Sequence, residues 1–528
     1  MSSIPYLKRE NGIATLMVDD KPFLCLGGEI HNSSSSSLEY MDDVVWPALR
    51  PLNMNTVIAP VYWELCEPEE GVYDFSLMEG LIQQCRRENI RLVILWFGLW
   101  KNGISQYVPG WVKRDSKRFF RIRDKFGKPL EVVSPFCKEG VAADKACYIR
   151  MMERLKEIDG ETHTVITIQV ENEIGTLYSE RDFGPQAQAA FDAEVPSLVA
   201  ETFGVSGTWE QAFGQDSHEM LMAYTYGRAV EEIASAGKAI YPLPLYVNCW
   251  LDQHPPAPGA YPTGGPIAKN IPMWKCAAPS IDFCAPDIYV EDFGKRCREF
   301  AVPGNPLFIP ETSGAINATP NCLYAVGGFN TLCFAPFAIE DIMAPEVLAS
   351  DPDYQLTSQL RPAMMRRQQG TLSGQLLART YTLLQNMTEL LLKARAEGRV
   401  HAWLQFHDQG TVIHLQKYDL EISYGSGMVR SFGAFNFPDA SIPEGAPIAG
   451  GFIIEEDADN FILVGVGSVA KFTPKLGEAR VVGLVRKEEG KYVDGVWQRR
   501  RVLNGDEGYV CRMDYLPQVL RVELTKYE

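Results

Sequence analysis

Eight apolar runs, spaced through the first two thirds of the chain and separated by helix-patterned segments, limit what this sequence can fold into. They are "PFLCLGGEI" (22–30), "NTVIAPVYW" (55–63), "RLVILWFGLW" (91–100), "TVITIQVENE" (164–173), "LPLYVNCW" (243–250), "SIDFCAPDIY" (280–289), "NPLFIPETSG" (305–314) and "FNTLCFAPF" (329–337). Near-continuous apolar strands of this kind are buried on both faces, as in parallel sheets covered by helices. The stretches between them, such as 76–89 and 145–158, repeat apolar residues at helical spacing. Eight such repeats predict an α/β fold, a closed (β/α)8 TIM barrel. A dinucleotide-binding open sheet would need G-x-G-x-x-G at its first turn, and "LGGEIHNSSSSS" (26–37) is not one.

Beyond the eighth run the texture changes. Residues 371–398 predict one amphipathic helix closed by Gly398. After it come short alternating segments between turn residues: "VHAWLQF", "GTVIHLQ", "NFILVGVGS", "YVDGVWQ" and "QVLRVELTKY". Period-2 alternation of this kind predicts an all-β, sandwich-like domain. The expected division is a barrel over 1–397, including the closing helix 371–398, and a C-terminal β-sandwich over 398–528.

Charge narrows the partners. With 67 acidic against 50 basic residues and a net charge of −17, nucleic acid and anionic membrane are disfavoured and a neutral ligand suits better. No apolar run is long enough to span a bilayer, and the N-terminus lacks a charged segment followed by an apolar one. The 12 cysteines are scattered without a C-x-x-C pair, so a reduced, cytoplasmic protein is expected. The 7 histidines are dispersed and no H-E-x-x-H occurs, so neither a metal site nor a cofactor is expected.

Chemistry points to the strand ends, since a barrel carries its reactive groups on the C-terminal face. The fourth run ends in Glu171-Asn172-Glu173, and the seventh ends in "FIPETSG", which puts Glu311 at the same rim. Residues 171 and 173 share a face unless the strand bends or bulges at its tip, so one of them is expected to be a paired structural carboxylate. Two carboxyls across a cleft suit glycoside hydrolysis with retention, Glu311 attacking the anomeric carbon and Glu173 acting as acid and then base. Asn172 suits a hydrogen bond to the sugar 2-hydroxyl. Aromatics at four rims (Tyr62 and Trp63, Trp96 and Trp100, Trp250, and Tyr289) could pack on a pyranose face. His31, after the first run, is placed as a substrate contact or a loop cap. A lone carboxylate of this kind is as readily half of an ion pair with Arg or Lys.

At "IQVENEIG" the sequence resembles the β-galactosidases of glycoside hydrolase family 35, in the bacterial subgroup with a C-terminal β domain of unassigned function. The likeness extends through "GGEIHNS" (27–33), "NTVIAPVYWELCEPEEGVYDFS" (55–76), "YVPGWVKRD" (107–115) and "GGFNTLCF" (327–334). It implies a retaining barrel enzyme with Glu173 as acid/base, Glu311 as nucleophile and Asn172 as the sugar-binding amide. Two motifs depart from the family's pattern. Pro60, Tyr62 and Cys66 stand where it has Tyr, Pro and His, and "WFGLWKNG" (96–103) replaces a run ending in a sugar-binding Glu, with Asn102 as the substitute. The resemblance implies an exo-acting β-galactosidase on neutral oligosaccharides, xyloglucan fragments among them, and self-association is an expectation. The alternatives are an α-L-arabinopyranosidase, a β-glucosidase or endo-acting glycanase on the same machinery, and a silent carbohydrate-binding protein. The Pro- and Gly-rich loop 253–274 is expected to wall the cleft.

Overall fold

The computed structural model describes residues 3–252, 257–343, 370–407, 410–424, 447–478, 480–508 and 510–527. Each of the eight apolar runs forms a strand. They are β1 (Cys25–Glu29), β2 (Thr56–Tyr62), β3 (Arg91–Lys101), β4 (Val165–Asn172), β5 (Leu245–Trp250), β6 (Phe283–Ile288), β7 (Leu307–Ile309, resumed at Glu311–Thr312) and β8 (Thr331–Phe334). All neighbouring pairs are parallel, and the order runs 7-8-1-2-3-4-5-6-7. Strand β7 therefore closes the ring: its first half pairs with β8 and its second with β6. Pro310, which has no N–H to give a ladder, stands at the change of partner.

The barrel is filled, not hollow. Tyr246, Phe283 and Phe308 meet in its interior with ring centroids 4.6–5.3 Å apart, and Cys25, Ile58, Val93 and Ile166 belong to the same cluster. This apolar plug leaves only the strand tips for polar chemistry. Outside the sheet a second, larger apolar layer joins strands to helices, among them α1 (Lys138–Asp159), α2 (Ser217–Ile240) and α3 (Ala318–Gly328).

The segment expected as one helix over 371–398 is two, α4 (Gly370–Gln385) and α5 (Thr388–Ala396). The correction falls at Asn386-Met387, where Met387 leaves helical geometry (φ −128°) and the Asn386 amide instead receives the backbone N–H of Asp494 (3.0 Å). Gly398 does close the pair, in the left-handed region that favours glycine (φ +70°). Helix α4 clasps the barrel through Tyr381, whose hydroxyl donates to the Gly27 carbonyl (2.7 Å).

The C-terminal residues form a six-stranded and a four-stranded antiparallel sheet around a shared apolar core, a sandwich. The neighbouring strands Gly450–Glu455 and Asn460–Val466 are buried on both faces. Ile453, Phe461 and Leu463 enter the sandwich core, whereas Phe452, Ile454, Ile462 and Val464 join the core of the barrel. Period 2 thus serves two cores at once. The approach is close enough that a Cβ on Gly327 of α3 would lie 2.4 Å from that of Phe452.

Candidate active site

The tip of β4 resolves the oddity of two glutamates flanking one asparagine. Glu171 and Glu173 both take positive φ, +64° and +44°, a conformation costing an L-residue roughly 1–2 kcal/mol. The twist turns the two side chains apart. Strand β3 bulges between Trp96 and Lys101, which frees N–H groups from the ladder, and Glu171 accepts them: Leu99 N at 3.1 Å and Trp100 N at 2.7 Å. Asp144 of α1 shares this nest, accepting from Trp96 Nε1 (2.8 Å) and Leu99 N (2.9 Å). Burial, and then the neighbouring Asp144, hold Glu171 well above the usual carboxylate range. Glu171 is thus the paired structural carboxylate, and its partner is another acid rather than a base.

Glu173 faces the barrel mouth. Its backbone N–H donates to Asn248 Oδ1 (2.9 Å) from the next strand, and the residue is 7% exposed. Glu311, 6% exposed, accepts from Tyr289 Oη at 2.9 Å, Asn172 Nδ2 at 3.3 Å and Asn248 Nδ2 at 3.4 Å. Carboxylate oxygens of Glu173, Asp287 and Glu311 all lie within 4.8 Å of one another. Burial, and then the charge of Glu311, push Glu173 up to about 7, against the opposing pull of Lys101. Asp287, set opposite Glu311 in the β6–β7 ladder, is raised well above its ordinary value, by burial first and then by Glu311 and Glu173. Among the described residues no arginine or lysine forms an ion pair with Glu173 or Glu311. The nearby Lys101 spends a hydrogen bond on Asn172 Oδ1 (2.8 Å). Two carboxyls so placed, one retaining its proton near neutrality and one cradled by three neutral donors, can deliver a proton and a nucleophile to opposite sides of one bond.

The other residues singled out from the sequence divide. Asn172 sits between Lys101 and Glu311 as just described, and Tyr289 holds Glu311 while its ring stays half exposed. Asn102 follows the β3 tip in the left-handed region (φ +52°), its N–H on the Asn172 carbonyl (3.2 Å) and its buried Oδ1 unmatched by a donor. Trp250, half-buried, lies two residues beyond Asn248 and so on its face of β5. His31 is on the loop after β1, its Nε2 3.0 Å from Asp341 Oδ2. Tyr62 points inward but is buried, with its hydroxyl 2.9 Å from Ser35 Oγ.

Trp63 and Trp100 are corrections. Both are fully buried outside the sheet, with their indole N–H groups on Glu67 Oε2 (2.8 Å) and the Val133 carbonyl (2.9 Å). Strand β2 ends at Tyr62, and Trp63 opens the short helical turn Trp63–Cys66 that carries its ring outside the sheet; at Trp100 the β3 bulge sets the direction. Of the loop expected to wall the cleft, residues 253–256 lie outside the described residues. The rest is tied to the β4 exit through Thr176 and Thr263, and anchored by Glu219, which accepts from Tyr261 Oη and Gly264 N at 2.7 Å each.

Sequence reasoning passed over Glu29, Lys101, Asn248, Asp287 and Glu340. Four of them end strands or lie in their last turns of pleat, at β1, β3, β5 and β6, and Glu340 follows β8. Reading every strand tip for polar residues, instead of the tips of β4 and β7 alone, would have found them.

Residues 15–242 match the pattern of "Glycosyl hydrolases family 35". Residues 377–513, from within α4 through most of the sandwich, match "Domain of unknown function (DUF5597)". A comparison with curated proteins returned no match. Among solved structures this chain is similar to the β-galactosidase of Bacillus circulans sp. alkalophilus, at 13% identity and a TM-score of 0.48, over 70% of this chain and 57% of that one. It is also similar to the catalytic domain of a β-amylase from Paenibacillus polymyxa, at 12% identity and a TM-score of 0.46, over 64% of this chain and 98% of that one. A third is the β-galactosidase of Rahnella sp. R3, at 14% identity and a TM-score of 0.40, over 60% and 50% of the two chains. The chain thus spans less than two thirds of the length of both β-galactosidases. No helix among the described residues is long and apolar enough to cross a membrane.

Proposed function

We propose that this protein is a retaining β-galactosidase that releases terminal β-D-galactose from neutral oligosaccharides. The observation that carries the reading is the approach of the Glu173 and Glu311 carboxyls to within 4.8 Å, with no arginine or lysine ion-paired to either among the described residues. That spacing suits a retaining enzyme, in which about 5–5.5 Å separates the carboxyls, and is short for an inverting one, which must admit a water between them. Glu311 attacks the anomeric carbon while Glu173 protonates the departing oxygen. Glu173, now ionised, then takes a proton from the water that displaces Glu311, and the anomeric configuration is restored. Tyr289, Asn172 and Asn248 orient Glu311 for the attack. The surplus of acceptors over donors round the mouth favours a ligand rich in O–H groups and without charge.

Galactose is preferred as the glycone on the family match and the motif likeness. The loop 257–267, packed against the β4 exit, supports exo action, and galactose-decorated xyloglucan fragments are one substrate of that kind. The departure at β3, Lys101-Asn102 in place of the family's run, favours testing a second glycone, such as α-L-arabinopyranose, which lacks only C6. Hydrolysis of a nitrophenyl glycoside panel, with the first-formed anomer read by NMR, tests all of this. Release of β-galactose first is expected. Release of the α anomer first would exclude retention, and oligosaccharide binding without cleavage would favour a silent binding protein.

A further inference from the structure

Among the described residues, buried acceptors without donors recur at the strand tips round the barrel mouth. They include both carboxyl oxygens of Glu29, Oδ1 of Asn102, Oδ1 of Asp287 and Oε2 of Glu340. Glu340 is half satisfied, since its other oxygen accepts from Ser34 Oγ (2.7 Å) and His31 N (2.9 Å). Glu29 is the extreme case, fully buried with neither oxygen matched.

The backbone leaves Glu29 no freedom to escape. Its N–H donates to the Pro336 carbonyl (2.8 Å), and it is registered against Ile58 of β2 and Phe337 beyond β8. Cys25, on the same face of β1, lies in the interior cluster, and Gly27 between them has no side chain. The carboxyl of Glu29 is therefore directed into the barrel above the apolar plug. There its electrostatic neighbours are Glu311, Lys101, Glu173 and Glu340. Burying a carboxyl without a hydrogen bond is costly, and no hydrogen bond among the described residues recovers that cost. Unsatisfied groups that persist in this way are characteristic of sites that await a ligand.

We propose that Glu29 is a glycone-contacting, specificity-determining residue, which meets the hydroxyls of the sugar ring lodged between Glu173 and Glu311. The inference rests on the glycosidase reading above and extends it to the substrate class: a neutral, unmodified pyranose. Burial first, and then the charge of Glu311, hold the Glu29 carboxyl well above its ordinary range. It therefore keeps its proton and offers a hydroxyl both a donor and an acceptor. A uronic acid would bring a carboxylate among Glu29, Glu173, Asp287, Glu311 and Glu340, with Lys101 already engaged by Asn172. The Glu311 carboxylate repels it, and the protonated acids around it supply no cation to offset its desolvation.

The test measures kcat and KM for wild type, Glu29→Gln and Glu29→Ala on nitrophenyl β-D-galactoside, β-D-glucoside, α-L-arabinopyranoside and β-D-glucuronide, with a melting curve for each protein. Wild type is expected to cleave neutral glycosides and leave the glucuronide intact. Glu29→Ala should lose about 10- to 100-fold in kcat/KM on the preferred glycoside, the loss expected for one hydrogen bond to a charged or acidic group. The loss should be smaller on the others, so that the preference narrows, and Glu29→Gln should recover part of it. Both variants should melt no lower than wild type, because an unmatched buried carboxyl has gone. Unchanged kinetics, equal losses on every glycoside, or a fall in melting temperature that accounts for the lost activity would each overturn the inference and leave the glycosidase reading standing. Wild type inert on all four glycosides would overturn that reading, and the inference with it.

Discussion

Glu171 and Glu173 stand two residues apart on one strand tip, each buried and each pressed against a second acid, yet their surroundings differ in kind. On the outer side the Glu171–Asp144 pair is surrounded by donors that the protein supplies: two backbone N–H groups freed by the β3 bulge, and an indole. Even a single methyl would intrude there, since a Cβ on Gly98 would lie 2.4 Å from Asp144 Oδ2 and 2.7 Å from Glu171 Oε1. On the inner side Glu311 has three neutral donors, but the groups around it, Glu29 above all, have acceptors to spare. A closed account of hydrogen bonds marks a structural acid pair, and an open one marks a site whose remaining partners arrive with the substrate.

The sharpest way to break that contrast is at Glu311. Glu311→Ala should lower kcat by about 10⁴-fold or more, as expected when one member of a concerted catalytic unit is lost, with little change in melting temperature. Steady-state kinetics beside a thermal melt reads both, and a variant that retains activity would remove the inner pair from catalysis. Glu173→Ala follows, at about 10²- to 10⁴-fold, the usual share of a general acid–base. Its loss should be mildest in the first step when the leaving group is a dinitrophenolate, which departs without a proton. Added azide, which needs no general base, should then accelerate turnover and yield a β-glycosyl azide.

The pH profile sharpens the same point without a mutation. Glu173, pushed up to about 7, is protonated below that pH and loses the proton as pH rises through it. The alkaline limb of kcat/KM should therefore fall about tenfold per pH unit above pH 7, a limb that Glu173→Gln abolishes. The stability sign is opposite to that of a salt-bridged acid. Between the ordinary carboxyl value of 4.5 and about 7 the folded state binds the extra proton, so its contribution is complete below 4.5 and is lost as pH rises through about 7. Relative to wild type, Glu173→Gln should therefore be more stable at pH 8 than at pH 4, which denaturant titration at the two values would measure.

For the outer pair the balance of effects should reverse. Glu171→Ala strands the Trp100 N–H group in the core, while the Leu99 N–H keeps its bond to Asp144, and one unmatched buried donor costs roughly 1–3 kcal/mol. Activity should fall only through the displaced tip of β4, by much less than for Glu173→Ala. Urea unfolding together with kcat distinguishes the two. A Glu171→Ala protein of native stability but no activity would mean that the roles of the two glutamates had been exchanged.

Much of this was legible in the sequence, and the remainder was hidden for definite reasons. The eight strands could be read because parallel strands buried on both faces have little choice but to be apolar. Glu173 and Glu311 could be read because a carboxylate directly after such a run is conspicuous. What the pattern could not reveal was the positive φ at Glu171 and Glu173, since it depends on the β3 bulge, a tertiary feature with no period. Glu29 and Asp287 stood in view at strand tips, but nothing in the pattern distinguishes them from ordinary strand-end acids until the barrel closes and brings the tips together. The single helix expected over 371–398 failed at Asn386, where a side chain exchanged helical continuity for a contact with the hairpin near Asp494.

The aromatic rim was the least legible, and it gives the smallest prediction. Side-chain alternation decides which ring faces the sugar, and one residue of register or one bulge reverses it. Trp63 and Trp100 face outward, with their N–H groups already bonded to Glu67 and to the Val133 carbonyl. Trp63→Phe keeps most of the apolar contact, including the edge-to-face packing against Trp111, and removes one buried hydrogen bond. The expected cost is about 1–2 kcal/mol of stability, with KM for any glycoside unchanged. Half-buried Trp250, on the face of Asn248, is the control from the other side of the sheet. Trp250→Phe should cost less stability than Trp63→Phe and raise KM, and the opposite result for the pair would mean that the inner and outer faces of the barrel mouth had been misassigned.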